Sequence, residues 1–107
     1  MNNFITIDSQ KIGPDFPPYI IAELSANHNG SLEAALETLE MAKMAGADAV
    51  KLQTYTPDTL TIDHDGPGFT ISGGLWDGYS LYQLYKEAQT PWDWHPALFE
   101  KGREIGI

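Results

Sequence analysis

The fold is decided by two segments of sequence, YIIAELS at residues 19–25 and DAVKLQTY at residues 48–55. The first segment is mostly apolar and has the length of a strand that is covered on both faces. The second alternates with a period of two, which places apolar and polar side chains on opposite faces. Both segments are therefore predicted to be β-strands of a buried sheet.

A helix is predicted between the two strands. Its apolar positions recur at helical spacing, at Leu32, Ala35, Leu36, Leu39 and Ala42. Asn29 or Ser31 is expected to cap its first turn and Gly46 its last. A strand–helix–strand order implies parallel strands joined by a right-handed crossover.

The N-terminal side predicts a small hairpin. Residues 4–13 read as two short strands around a polar turn at residues 8–10. Pro14, Pro17 and Pro18 end any regular structure there, because proline cannot donate to a sheet.

The C-terminal side predicts a loop and two helices. Residues 56–78 contain five glycines and predict a long irregular loop, which we expect to act as a lid. A capping box at Ser80 begins a helix that ends near Gln89, and a second helix covers residues 97–105. Ile107 is expected to begin a third strand.

These elements predict an incomplete α/β barrel. Two parallel strands cannot cover both faces of a sheet, and two βα units are about a quarter of an eightfold barrel of ~250 residues. Residues 1–18 are interpreted as an N-terminal β-hairpin and linker. Residues 19–107 are interpreted as the first two βα units of a (β/α)8 TIM barrel, so the chain is expected to be its N-terminal fragment.

Composition excludes several classes of function. The chain has 107 residues, 15 acidic and 6 basic side chains, a net charge of -9 and no cysteine. The charge argues against binding to nucleic acid or anionic membranes, and the missing cysteines exclude disulfides and thiolate metal sites. Without a signal peptide or a long apolar run, a cytoplasmic protein is expected.

Charged side chains interrupt both strands. If Val50 and Leu52 face the helices, Lys51 and Gln53 face the barrel interior. On the first strand Ile20, Ala22 and Leu24 are expected to face the helices, which turns Ile21, Glu23 and Ser25 inward. Glu23 and Lys51 then lie near the carboxyl ends of neighbouring strands, where barrel enzymes place catalytic groups. A structural ion pair is the alternative interpretation of Glu23 and Lys51, and a polar barrel layer is that of Gln53.

The loop after the first strand contributes further candidates. Asn27 and His28 are candidate site residues at the same rim, whereas Asn29 is more simply explained as a turn residue. His64 lies between two aspartates, but no matching ligands follow, so a solvated loop is favoured over a metal site.

Two motifs identify a family resemblance. IAELSANHNG at residues 21–30 and GADAVKLQTY at residues 46–55 resemble the start of the sialic acid synthase family. SLYQLYKEA at residues 80–88 and TPWDWH at residues 90–95 resemble one branch of it, which uses 2,4-diacetamido-2,4,6-trideoxy-altropyranose. The branches that make N-acetylneuraminate or legionaminate remain alternatives, as does a non-catalytic binding module.

The resemblance implies a function and a set of site residues. Members of the family condense phosphoenolpyruvate with an N-acylated amino sugar and release phosphate. Glu23 matches the active-site glutamate, Lys51 and Gln53 match sugar ligands, and Asn27 and His28 match the first-loop motif. The resemblance also implies a (β/α)8 barrel, a homodimer and a divalent cation, manganese or magnesium, whose ligands lie outside this chain.

Overall fold

The N-terminal residues form the predicted hairpin. The computed structural model describes residues 3–107, so the first two residues of the predicted 1–18 unit lie outside the described residues. Strand β1 (Ile5–Ile7) pairs antiparallel with β2 (Gln10–Ile12). The two turn residues, Asp8 and Ser9, have φ of 45° and 69°. Positive φ at both positions gives a hairpin turn whose twist matches that of the strands.

The predicted βαβ unit is confirmed. Strand β3 (Ile21–Glu23) pairs in parallel with β4 (Ala49–Lys51), and helix α1 (Leu32–Met44) connects them. Both strands are shorter than the segments at 19–25 and 48–55. Each strand pairs with only one other strand among residues 3–107, so each is limited to the residues that pair with that partner.

Helix α1 is capped at both ends by its own sequence. Ser31, rather than Asn29, is the N-cap, and its Oγ accepts a hydrogen bond of 3.1 Å from the amide of Ala34. After the helix Gly46 has φ of 94°, and the amide of Ala47 donates back to the carbonyl of Ala42. This is the hydrogen bond of a Schellman motif, which glycine favours because it lacks a Cβ.

The segment at residues 56–78 is more regular than predicted. It contains helix α2 (Pro57–Leu60), whose first position is a proline with φ already suited to a helix. Further on, Thr70 and Ser80 form an antiparallel bridge, and the amide of Ile71 donates to the carbonyl of Tyr79. The prediction of an irregular stretch was wrong at these places, because a single turn and a single bridge leave no periodic pattern to detect. The lid stays a prediction.

Two longer helices complete the chain. Helix α3 (Leu81–Ala88) has the predicted capping box between Ser80 and Gln83. A 3-10 turn (Trp92–Trp94) leads directly into α4 (His95–Ile105), which begins two residues before the predicted start because Pro96 is tolerated in a first turn.

The expected third strand at Ile107 is not formed. The amide of Ile107 donates to the carbonyl of Gly102 at 2.9 Å, and Gly106 has φ of 81°. Ile107 therefore belongs to the C-terminal cap of α4.

The core lies between the β3–β4 sheet and helices α1 and α4. Its buried members are Leu24, Ala35, Leu39 and Leu98. Lys101 of α4 forms an ion pair with Glu40 of α1, and the ammonium of Lys43 donates to the carbonyl of Gly106. Within residues 3–107 there is no helix with the length and apolar character needed to cross a membrane.

Candidate active site

The two faces of the β3–β4 sheet differ as predicted. Val50 and Leu52 pack against the helical core, while Glu23 and Lys51 point to the opposite, open face. Ile20 does not follow the prediction, since it is 49% exposed and precedes the paired part of β3. Its backbone instead bonds Asp48, whose carboxylate accepts from the Ile20 amide at 2.7 Å. The alternation of faces therefore holds through the ladder and just after it, and fails at Ile20, which precedes it.

Glu23 and Lys51 are brought together by the strand register. They are direct cross-strand partners, and Lys51 Nζ lies 3.3 Å from Glu23 Oε1. Their side chains are 60% and 62% exposed, so both remain accessible from the open face. An ammonium can bind anionic or carbonyl oxygens, and a carboxylate beside it can exchange protons.

Gln53 follows β4 and is half-buried at the edge of the second βα unit. Its carbonyl accepts a hydrogen bond of 3.0 Å from the amide of Thr90. Tyr55 lies further along, with its ring edge-on to Tyr85 of α3 at a centroid distance of 5.9 Å. Burial raises the pKa of the Tyr55 phenol, and the neighbouring Gln53 side chain partly opposes this shift. Helix α3 thus covers the end of β4, which the alternating pattern of the strand did not predict.

Asn27 has a structural contact in the loop after β3. The residue is exposed, and its Nδ2 donates to the carbonyl of Leu24 at 3.0 Å. The amide of Asn27 donates to the same carbonyl at 3.1 Å. The side chain therefore closes a turn, and its carbonyl oxygen remains available to accept a further hydrogen bond.

His28 is buried rather than displayed at the rim. Its side chain has no exposed surface, and its Nδ1 accepts a hydrogen bond of 2.9 Å from the amide of Gly30. The ring stands edge-on to Trp94, with 5.0 Å between the ring centroids. The structure thus brings Glu23 and Lys51 together and separates the His28 ring from their open face.

One polar contact was missed by sequence reasoning. Thr54 Oγ1 lies 2.8 Å from His95 Nε2, and His95 Nδ1 lies 3.1 Å from the carbonyl of Trp92. Thr54 has the same strand parity as Val50 and Leu52, which indicates the helix-facing side. The sequence signals for this contact were the position of Thr54 on the helix-facing side of its strand and the presence of a histidine at the start of α4.

His64 lies in the segment before α3. Its ring packs edge-on against Phe69, with 5.0 Å between centroids, which supports the loop interpretation. Across the part of the chain that the structure describes, no three histidine, aspartate or glutamate side chains are grouped as metal ligands would be.

The fold and the Glu23–Lys51 pair are typical of α/β enzymes. Parallel strands that are connected through helices, with ionisable side chains at their carboxyl ends, are the arrangement in which α/β enzymes bind their substrates.

Comparison with known proteins identifies the family. The NeuB family model matches residues 38–107, and the chain belongs to this family. It is 58% identical over 89 residues to the pseudaminic acid synthase of Campylobacter jejuni subsp. jejuni, covering 83% of this chain and 26% of that protein. It is 52% identical over 91 residues to the pseudaminic acid synthase of Helicobacter pylori, covering 85% of this chain and 27% of the relative.

A solved structure has the same fold over nearly all of the chain. The N-acetylneuraminic acid synthetase of Leptospira borgpetersenii, in complex with citrate, superimposes with a TM-score of 0.75 at 28% identity. The match covers 97% of this chain and 32% of that protein. The chain therefore spans about a quarter of the curated relatives' length and about a third of the solved one. The family predicted from the motifs is confirmed.

Proposed function

We propose that this chain is the N-terminal part of a pseudaminic acid synthase, called the whole protein below. The whole protein would condense phosphoenolpyruvate with 2,4-diacetamido-2,4,6-trideoxy-altropyranose and release phosphate. The observation that carries the proposal is the identity of 58% and 52% to two pseudaminic acid synthases, over 83% and 85% of this chain. The lower identity to the N-acetylneuraminic acid synthetase favours the diacetamido sugar over N-acetylmannosamine.

The whole protein is proposed to be a (β/α)8 barrel. Within residues 3–107 the β3–β4 sheet has two strands, and a parallel sheet of that size leaves apolar surface uncovered. An apolar cleft of about 370 Å³ lies beside β4, lined by residues that include Val50, Leu52 and Leu98. A further βα unit packed there would cover this surface, as in a barrel.

Glu23 and Lys51 are proposed to act on the sugar. The reaction joins C3 of phosphoenolpyruvate to the aldehyde carbon of the open-chain sugar, whose oxygen then needs a proton. Water adds at C2, and cleavage of the C2–O bond releases phosphate from the tetrahedral intermediate. A carboxylate and an ammonium 3.3 Å apart on the open face can bind the aldehyde oxygen and move that proton.

Gln53 and Asn27 are proposed to bind and orient the sugar. Gln53 can donate and accept at once, which suits a hydroxyl or an acetamido group, and Asn27 retains a free acceptor at the exposed rim. His28, also predicted to bind substrate, is buried and is assigned no contact with the sugar.

A divalent cation and a homodimer complete the proposal. Manganese or magnesium would polarise a carbonyl or phosphoryl oxygen when bound, and its ligands would lie outside this chain. The acidic composition agrees with a cytoplasmic enzyme, the location we propose.

The test is phosphate release and product analysis with the whole protein. Phosphoenolpyruvate and manganese are supplied with the diacetamido-trideoxy sugar or with N-acetylmannosamine, and products are identified by mass spectrometry. We expect a nine-carbon acid with the first sugar and little product with the second. The opposite preference would assign the N-acetylneuraminate branch, and no product with either sugar would refute the proposed function.

The isolated 107-residue chain is the matched control. It carries the charged pair, but the groups that would bind phosphate and cation lie outside it, so we expect no phosphate release above the blank. Turnover by the chain alone would show that the site is complete within residues 1–107.

A further inference from the structure

The hydrogen bonding of His28 assigns a role to one ring nitrogen. The amide of Gly30 donates to Nδ1 at 2.9 Å, so Nδ1 acts as the acceptor. In the tautomer that fits this contact the ring proton is on Nε2.

Nε2 is closed to solvent. It has less than 1 Å² of exposed surface and no hydrogen-bond partner among the described residues. The ring lies edge-on to Trp94, with 81° between the ring planes.

The loop that His28 holds has an unfavourable backbone conformation. Ser25 and Asn29 both have φ of 50°, in the left-handed region that costs a non-glycine residue free energy. Successive turns fix the loop, since the amide of Asn29 donates to Ala26 and that of Ser31 donates to the carbonyl of His28. Strained residues of this kind persist only where surrounding contacts determine them, and they concentrate at functional sites.

His28 also connects the two βα units. Its backbone lies between β3 and α1, whereas Trp94 ends the turn that leads into α4. Its hydrogen bond to the amide two residues later has the geometry of an Asx turn, with the ring in place of an amide oxygen. The imidazole thus supplies both a turn acceptor and an aromatic edge that reaches the second unit.

We propose that His28 is a positioning residue for the synthase reaction and that it makes no contact with substrate. It would act through Nδ1, holding residues 24–31 in the conformation that ends the Glu23 strand and presents Asn27 at the rim. This inference rests on the proposed function and replaces the expectation that His28 binds the sugar.

Matched substitutions in the whole protein test the acceptor. His28→Asn and His28→Leu remove the same ring and have similar size, but only asparagine can accept from the Gly30 amide in an Asx turn. We expect His28→Leu to lose about 10- to 100-fold in kcat, because small misplacements of catalytic groups cost that much. His28→Asn is expected to retain most of the turnover, and KM for the sugar should stay within about threefold in both variants.

Three kinetic results would overturn the proposal. Equal turnover in the Asn and Leu variants would show that the acceptor is unused. A rise in sugar KM at unchanged kcat would show direct binding. Activity retained by His28→Gln, which places an amide near the Nε2 position and cannot form the Asx turn, would assign the role to Nε2.

Nitrogen NMR of the wild-type whole protein gives a test that depends on neither variant folding nor activity. We expect the His28 signals to show an unprotonated Nδ1 and a protonated Nε2, and the Nε2 signal should not move when the sugar is added. A proton on Nδ1, or a shift on adding sugar, would refute the assignment. If the wild-type protein makes no sugar acid, the proposed function fails while this measurement still decides the state of His28.

Discussion

Replacing Glu23 by glutamine separates a catalytic carboxylate from a structural ion pair. The substitution removes the charge and the proton-accepting group but keeps the shape and one oxygen that can accept from Lys51. The two interpretations of the pair predict effects of very different size.

The structural interpretation predicts a small effect. Both side chains are about 60% exposed, and exposed ion pairs contribute roughly 0.2–1 kcal/mol. The unfolding midpoint should then fall by no more than about 4 °C. The catalytic interpretation predicts the same small loss of stability together with a fall in turnover of about 10²- to 10⁴-fold, the usual contribution of general acid–base catalysis. That fall corresponds to roughly 2.7–5.4 kcal/mol in the barrier.

The assay is steady-state phosphate release by the whole protein, with thermal unfolding measured on the same samples. Glu37→Gln is the control, since Glu37 is an exposed carboxylate on α1 away from the open face, and it should change neither quantity. Turnover of Glu23→Gln within about threefold of wild type would return Glu23 to a structural role. A large loss of stability would show that the pair is far more deeply buried in the whole protein than in this chain.

Three further predictions concern stability of the whole protein, each measured by chemical or thermal unfolding. Leu98→Ala should lower the free energy of unfolding by about 2–5 kcal/mol, because Leu98 is 1% exposed. Leu60→Ala is the control, and at a site that is 52% exposed it should cost less than about 1 kcal/mol. Equal losses in the two variants would show that the helical core is wrongly placed. Gly46→Ala should lower the free energy of unfolding by about 1–2 kcal/mol. The cost comes from the φ of 94° alone, since no atom lies within 4 Å of an added Cβ. An unchanged stability would contradict the left-handed cap. The hydrogen bond that the Lys101 ammonium donates to Glu40 raises the pKa of Lys101 above its usual 10.5. This pair therefore stabilises the fold below that pH, and the contribution is lost as pH rises through the higher folded value. Glu40→Gln should remove that alkaline decline, and an identical decline in both proteins would exclude the pair as its cause.

The candidate site was partly predictable because of strand periodicity. In a parallel ladder the alternation of side chains is fixed, so Glu23 and Lys51 could be assigned to the face opposite Val50 and Leu52 from the sequence alone. Their 3.3 Å separation was not predictable, because it depends on the strand register that pairs Ile21 with Ala49.

By itself the sequence determined the local elements: the hairpin, the βαβ order, the capping box of α3 and the glycine that ends α1. These depend on side-chain spacing and on caps within a few residues, which the chain carries wherever it folds. Only the tertiary structure decided that His28 is buried against Trp94 and that α3 covers the end of β4. Those outcomes depend on contacts between residues that are distant in sequence. His28 and Trp94, for example, are 66 positions apart, and no local sequence pattern encodes which distant residues will meet.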